Sequence, residues 1–570
     1  MQRIEIMQKE KDSRGINLIK AIEEMGFNID SVKIADNYTI DNDILSEKDK
    51  DLINRRNNNI ADSLLNPVTE VSTLNYPIQL GDFDYAIEIS FHPGVTDNVG
   101  NTVTEQIREM LGIEYDQQMA FYSKTIFVKG QICENDAKKI GNQLANPLIE
   151  KVDIMDANQY QKRKIFKIPR VKLDIKPKVD IVDIFNASEQ ELIDIGKKGI
   201  KNADGSRRGP LALRIEYMHA IKDYFLQQGR NPTDIEVEML AQTWSEHCKH
   251  TIFADQLDDI TEGLFKRYIK GSTEKIRQSK GNKDICVSIF TDNSGAIIFD
   301  GKYMIAHKVE THNSPSALDP FGGSITGIVG VNRDAIGFGL GAMPIANVWG
   351  FCFADPNDKS PLYKGENFTQ EMLSSRRILN GVIAGVNSGG NQSGINSAHG
   401  FMLFNYGFKG KPNVFVGTLS LMPYESAGRK SHEKAAQHGD YIVMIGGRVG
   451  QDGIHGATFS SEAMDSGSPA TAVQIGDPIT QKKLSDAIVK EARDLGLYTS
   501  ITDNGAGGLS CSVAEMAKES GGCYVKLEKV PLKYPGLDPW QTWISESQER
   551  MTLSVPKDKW NEFYDLMKRR

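Results

Sequence analysis

No apolar run of about 18 or more residues occurs in this 570-residue sequence, so nothing in it reads as a transmembrane helix. The opening stretch, Met1 to Gly15, lacks the apolar centre of a secretory signal. Cysteine is sparse: Cys133, Cys248, Cys286, Cys352, Cys511 and Cys523 are scattered, with no CxxC pair. That excludes a disulfide framework and a zinc site, and it points to reduced thiols in the cytoplasm. An excess of positive charge is also absent: 67 basic against 75 acidic residues give −8. Neither nucleic acid nor a membrane is therefore an expected partner. There is no GxxxxGK[ST] phosphate loop, no GxGxxG in a strand–helix–strand setting, and no serine-nucleophile elbow. What is there is a globular composition, 39% hydrophobic and 25% charged, with length for about three to four domains.

The first 165 residues read as a duplicated small unit. Arg3–Glu5 with Ile6, a helix around Gly15 to Gly26 and a strand from Ile29 to Ile40 match Tyr85 to Ile89, a helix around Val103 to Gly112 and a strand from Ile113 to Val128. Each copy reads strand, helix, strand, with a glycine closing the helix. The polar stretch Glu47 to Asn59 fits a loop or an exposed helix. A basic stretch from Lys162 to Lys178 fits a solvated linker. A mostly helical segment follows from Asp183 to Gln228. The next helix starts with a capping box, Thr233 and Glu236. Helical spacing puts Ile235, Met239, Leu240, Trp244 and His247 on one face, which predicts a packed or cleft environment for His247. From Cys286 to Thr311, period-two runs broken by Asp292-Asn-Ser-Gly and Asp300-Gly-Lys predict a β-meander. A second α/β region is expected from Asn413 onward.

Alternation along His307-Lys-Val-Glu-Thr-His-Asn313 places Lys308, Glu310 and His312 on one face. Lysine for phosphate oxygen, glutamate for Mg²⁺ and histidine for proton transfer make chemical sense together; a solvent-facing edge strand accounts for them equally well. Gly322, Gly323, Gly327 and Gly330 read as a glycine-dense loop that backbone amides could turn toward phosphate, with Arg333 and Asp334 behind it. Asp503-Asn-Gly-Ala-Gly-Gly508, after a strand and before a helix, is either a metal and anion site or a plain strand–turn–helix joint. The residues by themselves lead to an ATP or phosphate-ester enzyme that uses Mg²⁺ without a phosphate loop.

Six ordered motifs sharpen this: Thr243-Trp-Ser-Glu-His-Cys-Lys-His250, Val309-Glu-Thr-His-Asn-Ser-Pro-Ser316, Gly450-Gln-Asp-Gly-Ile-His-Gly-Ala457, Val473-Gln-Ile-Gly-Asp-Pro478, Thr502-Asp-Asn-Gly-Ala-Gly-Gly508 and Ile544-Ser-Glu-Ser-Gln-Glu-Arg550. Over these the chain resembles phosphoribosylformylglycinamidine synthase, the amidotransferase of the fourth step of purine biosynthesis. The resemblance implies an α+β fold in four parts: a companion-subunit-like N-terminal domain of two repeats (1–165), a helical linker (166–230), and aminoimidazole-ribonucleotide-synthetase-like N- and C-subdomains (231–412 and 413–570). These would be the first of two homologous halves, the last subdomain being incomplete. It implies that ATP phosphorylates the amide oxygen of formylglycinamide ribonucleotide and that ammonia, supplied by a glutaminase domain or subunit, displaces the phosphate. His247 and His312 would be the catalytic histidines. His250 and Lys308 would lie near ATP; Glu310, Asp334 and Asp503 would hold Mg²⁺. Thr311, His312, Asn313, Ser314, Arg333, Gln474, Glu546, Ser547 and Gln548 would face the substrate. Partners would be a second synthetase half or a second copy of this chain, with a non-catalytic, nucleotide-binding assembly subunit as the alternative role. Four positions depart from the family: Ser314 stands for a usual histidine, Ser324 and Ile325 for two usual alanines, and Val329 for a frequent glycine.

Overall fold

The computed structural model describes residues 1–95, 97–115, 117–146, 149–163, 166, 168–171, 176–247, 250–358, 360, 373–456, 458 and 476–570. The chain divides into two units, 1–173 and 174–570. Several residues of the basic stretch (164, 165, 167 and 172–175) and Gln474 lie outside the described residues.

In the first unit, β1 (Gln2–Gln8), α1 (Ser13–Glu24), β2 (Ile29–Ile40), α2 (Glu47–Leu64) and β3 (Glu70–Leu74) are followed by β4 (Tyr85–Phe91), α3 (Asn98–Leu111), β5 (Ala120–Gly130), α4 (Glu134–Leu144) and β6 (Glu150–Asp156). The repeat is thus one helix and one strand longer than the sequence pattern conveys. The added helix α2 buries only Ile53, Ile60 and Ala61, a stripe too thin to stand out among its polar residues. The sheet order is β3-β1-β2-β5-β4-β6, each pair antiparallel. The two repeats meet at β2–β5 in the middle. Even-numbered positions of β1 and β2, such as Ile4, Ile6, Val32 and Ile34, pack under the helices. The opposite face buries charge instead. Arg3 donates to Glu5 at 2.8 Å and to Glu88 at 3.1 Å, and Arg163 also pairs with Glu88. Arg3 belongs to the first repeat and Glu88 to the second, so this ion pair crosses the seam between them.

In the second unit, α5 (Glu189–Lys198), α6 (Ile215–Gln227) and α7 (Asp234–Thr243) share a core of Leu192, Ile195, Met218, Ile221, Phe225, Val237 and Ala241. The Thr233–Glu236 capping box forms. The helix stops at Thr243, however, so Trp244 is 40% exposed and His247 sits in the turn beyond it, off the packed helix face that helical spacing predicts.

The meander forms as β7 (Cys286–Ser288), β8 (Gly295–Ile298) and β9 (Tyr303–Thr311). After it come α8 (Asn313–Leu318), α9 (Pro320–Gly337), β10 (Met343–Phe353), α10 (Ser375–Gly389), β11 (Asn396–Phe404) and β12 (Asn413–Pro423). They build one sheet, β11-β10-β12-β9-β8-β7, in which only β10–β11 is parallel. β12 therefore lies inside this sheet, between β10 and β9, and not in a second subdomain beginning at Asn413. Its alternation gives Val414 and Val416 to the core under α9 and α10, which explains why a strand so late in the chain belongs here.

The glycine-dense segment is not a loop. It is the buried helix α9, 18 residues long. Glycine inside a helix costs roughly 1 kcal/mol against alanine. Here close packing outweighs that cost. A Cβ on Gly323 would lie 2.3 Å from the Ser316 amide nitrogen, and one on Gly327 would lie 2.9 Å from the His312 Cβ. The family departures fit this packing. Ser324 Oγ donates to Pro320 O at 2.6 Å and reaches Val382 O of α10 at 3.2 Å, while Ile325 and Val329 are fully buried core.

From Tyr441 onward the chain forms β13 (Tyr441–Gly446), α11 (Pro478–Ala487), β14 (Ser500–Asp503), α12 (Leu509–Ser520), α13 (Pro539–Ile544), β15 (Arg550–Val555) and α14 (Trp560–Arg569). The sheet is antiparallel, in order β13-β15-β14. Among the described residues no helix is long and apolar enough to cross a membrane.

Candidate functional site

The end of β9, the last turns of α9, the end of β14 and the turn before β15 converge. Lys308 Nζ lies 3.0 Å from Asp334 Oδ2 and 3.4 Å from Glu310 Oε1. Arg333 Nε is 3.7 Å from Asp503 Oδ2, and Arg333 Nη1 donates to Gln548 Oε1 at 2.5 Å. Two residues separate Gly330 from Arg333–Asp334 on α9. A Cβ on Gly330 would stand 3.4 Å from Glu310 Oε2, so this turn of the helix lies against the carboxylate strand.

Charge is crowded here. Burial first, then Asp503 and Glu310, push the Asp334 carboxyl well above its ordinary value. Burial works to raise Glu310 as well, but Lys308, His312 and His247 outweigh it and hold Glu310 below its ordinary value. Burial disfavours the Lys308 charge, yet Asp334 and Glu310 raise its pKa. Burial pushes His312 down to about 4, against the pull of Glu310. His247 is also lowered, by burial first, and it interacts electrostatically with Glu310, Lys308 and His250. Both imidazoles are thus neutral at pH 7 and able to accept a proton. Although the Cα of His247 lies beyond the helix, its ring belongs to this cluster.

The N-terminus of α8 is stitched to β12. The His312 amide donates to Val414 O at 2.9 Å, and Asn313 Oδ1 accepts from the Val414 amide at 2.8 Å. Ser314 is buried, and the Thr311 side of the strand end is exposed. His312 Nδ1 has no hydrogen-bond partner among the described residues. Glu546 Oε1 accepts from the Gly507 amide at 3.0 Å; Ser547 Oγ donates to Asp452 Oδ1 at 2.7 Å and accepts from the Gly450 amide at 3.0 Å. These two side chains thereby tie the glycine-rich turns together. His250 packs edge-on against Phe253, with ring centroids 6.3 Å apart.

Asn293 is a residue the sequence reading passes over as a turn position. Its amide donates to Asp503 Oδ1 at 3.0 Å and approaches Asp334 Oδ1 at 3.4 Å, joining the meander to both carboxylates. Only the polarity of the Asp292-Asn-Ser-Gly turn could have signalled it.

A divalent cation fits the donor chemistry: carboxylate oxygens with excess mutual repulsion, such as Glu310, Asp334 and Asp503, suit a hard ion. As the side chains stand, no group of three or more described His, Cys, Asp or Glu residues is set to hold a metal. The Lys308 ammonium lies between Glu310 and Asp334, where it offsets their charge.

Comparison with known proteins places these elements in families. Residues 203–250 match the formylglycinamide ribonucleotide amidotransferase linker domain. Residues 291–422 match the AIR synthase related protein, N-terminal domain, and residues 437–570 its C-terminal domain. The linker match thus runs past residue 230, through α7 and the turn that carries His247. The phosphoribosylformylglycinamidine synthase subunit PurL of Picrophilus torridus is 36% identical over 402 residues, covering 68% of this chain and 48% of the relative. That of Thermotoga maritima is 31% identical over 362 residues, covering 63% and 50%. The chain spans about half the length of the curated relatives it matches. Among solved structures, T. maritima PurL complexed with FGAR shares 29% identity with a TM-score of 0.48, covering 62% of this chain and 50% of that one.

Proposed function

We propose that this chain, whose linker and synthetase domains are related to those of phosphoribosylformylglycinamidine synthase, supplies the first half of an ATP-dependent synthetase acting on formylglycinamide ribonucleotide. The observation that carries the reading is the meeting of Lys308, Glu310, Arg333, Asp334, Asp503 and Gln548, from four elements, in one charged cluster. It is a phosphate and cation environment built without a phosphate loop. Relatives named for this activity, and a PurL structure complexed with ATP, support it.

In the reaction the amide oxygen of the substrate takes the γ-phosphoryl group of ATP, releasing ADP, and ammonia then adds to the carbon of the resulting iminophosphate as phosphate leaves, giving the amidine. Lys308 and Arg333 are the cations that offset the growing charge on phosphate oxygens. Glu310, Asp334 and Asp503 would hold Mg²⁺, which when bound would supply further positive charge at those oxygens. His312, neutral at pH 7, accepts the proton that the incoming ammonia must lose. His247 stands beside it, and Gln548 orients Arg333. Ammonia comes from a glutaminase domain or subunit, and the compartment is the cytoplasm.

Activity requires a partner for the exposed sheet face. Paired positions put Ile297, Ile305, Leu421 and Met343 in one row, Val309, Gly417 and Val348 in another, and Thr311, Phe415, Gly350 and Phe401 in a third. Ile297, Val309, Met343, Phe401 and Leu403 are exposed on it. A homologous second half, or a second copy of this chain, covers that face.

ADP release by the purified chain is the test, with ATP, Mg²⁺ and ammonium, with and without formylglycinamide ribonucleotide. Substrate-dependent release from the chain alone means that two copies complete the site. Release only after a separately expressed second half is added assigns the partner. No release in either arm refutes the reading.

A further inference from the structure

Arg550 has the largest side chain among the fully buried residues. No described carboxylate lies within 4.0 Å as an ion-pair partner. Burial, offset in part by Asp452 and reinforced by Arg333, lowers its pKa to about 10. A guanidinium in such a place is costly unless its donors are used, and an apolar residue of similar volume would otherwise serve better. Its donors are used, and on its own turn. Arg550 Nε donates to Ser547 O at 2.7 Å and Nη2 donates to Ser545 O, while Nη1 lies 3.6 Å from Met444 Sδ.

The turn it grips is itself strained. Glu549 has φ +53°, a left-handed conformation that a glutamate rarely adopts. In that shape five neighbouring residues are reached at once. Glu546 accepts from the Gly507 amide, Ser547 accepts from the Gly450 amide and donates to Asp452, Gln548 accepts from Arg333, and Glu549 O accepts from the Gly447 amide at 3.0 Å.

We propose that Arg550 is a positioning residue: its planar fork clamps the 545–549 turn so that Gln548 holds Arg333 in place beside Asp503. That the turn serves the substrate rests on the function proposed above; the clamp itself does not. Lysine cannot replace the fork, because one ammonium does not span two carbonyls in a fixed plane.

The experiment compares the wild-type chain with Arg550→Gln and Arg550→Lys. Hydrogen exchange at 446–452 and 505–510, the segments the turn holds, is expected to be at least tenfold faster in Arg550→Gln. Should that variant fail to fold, Arg550→Lys, which keeps the charge and much of the volume, carries the comparison and is expected to show a smaller acceleration. Unchanged exchange in a folded variant overturns the clamp. Calorimetry then separates positioning from plain stability. Formylglycinamide ribonucleotide is expected to bind at least tenfold more weakly to the variant, while Mg²⁺–ATP binding changes less than twofold. Equal losses for both ligands, or none for the substrate, overturn the positioning role. A wild-type chain that binds no formylglycinamide ribonucleotide refutes the proposed function, and the exchange comparison still decides the clamp.

Discussion

Burial first, then Asp503 and Glu310, raise the Asp334 carboxyl well above its ordinary value, whereas Lys308, His312 and His247 hold Glu310 below its own. Glu310→Ala removes that carboxylate and leaves Lys308 tied to Asp334 alone. Mg²⁺-dependent nucleotide binding is expected to be abolished, while binding that survives the change, measured by calorimetry with and without Mg²⁺, refutes the metal assignment. Glu549 offers a test by pH. Burial, then Asp477, raise it to about 8 from an ordinary 4.5. The folded chain keeps a proton that the unfolded chain releases between those values. The stability linked to that proton is complete below pH 4.5 and is lost as the pH rises toward 8. Glu549→Gln is neutral throughout. Its melting temperature relative to wild type should therefore climb from pH 5 to pH 8, by an amount equivalent to roughly 1 to 4 kcal/mol. A difference that stays flat across that range would show that Glu549 is ionised in the folded chain.

At the scale of the element, α9 reverses the usual rule for glycine in helices. Gly323→Ala would ordinarily stabilise a helix, but its Cβ meets the Ser316 backbone at 2.3 Å. The expected outcome is a loss of about 1–3 kcal/mol in urea unfolding. A gain would mean that α8 and α9 are free to move apart. This helix also shows where sequence reading stops. Local propensity makes Gly322, Gly323, Gly327 and Gly330 a loop, and only the neighbouring strand and helix reveal why a helix needs Gly323 and Gly327 bare. The β-meander, the Thr233 cap and the strand–turn–helix joint at Asp503 are legible because each is encoded by adjacent residues. The placement of β12 is not, since pairing partners more than 60 residues away decide it. In the site, alternation along β9 finds Lys308 and Glu310. The bridging role of Asn293 depends on contacts 41 and 210 residues distant, which no local pattern carries.

Considered as a whole, the molecule has a face that lacks a cover. Met343 and Phe401 lie at opposite ends of the outward face of the six-stranded sheet, away from Lys308 and Glu310, which turn to the other side. Met343→Asp combined with Phe401→Asp should leave the folded chain intact. The pair should abolish sedimentation of the chain as a dimer, or its co-sedimentation with a second half, whichever the wild type shows. Association that persists would place the partner elsewhere.

The Arg3–Glu88 ion pair across the N-terminal sheet has a consequence for how that unit could be divided. Separating the repeats would break this buried contact and leave Arg3 with Glu5 alone and Glu88 with Arg163 alone. A protease nick between β3 and β4, in the connection from 75 to 84, would cut the covalent path yet leave this electrostatic one. The two fragments would then travel as a single species in native buffer and part only in denaturant, so the duplication behaves as a heterodimer that happens to share one chain.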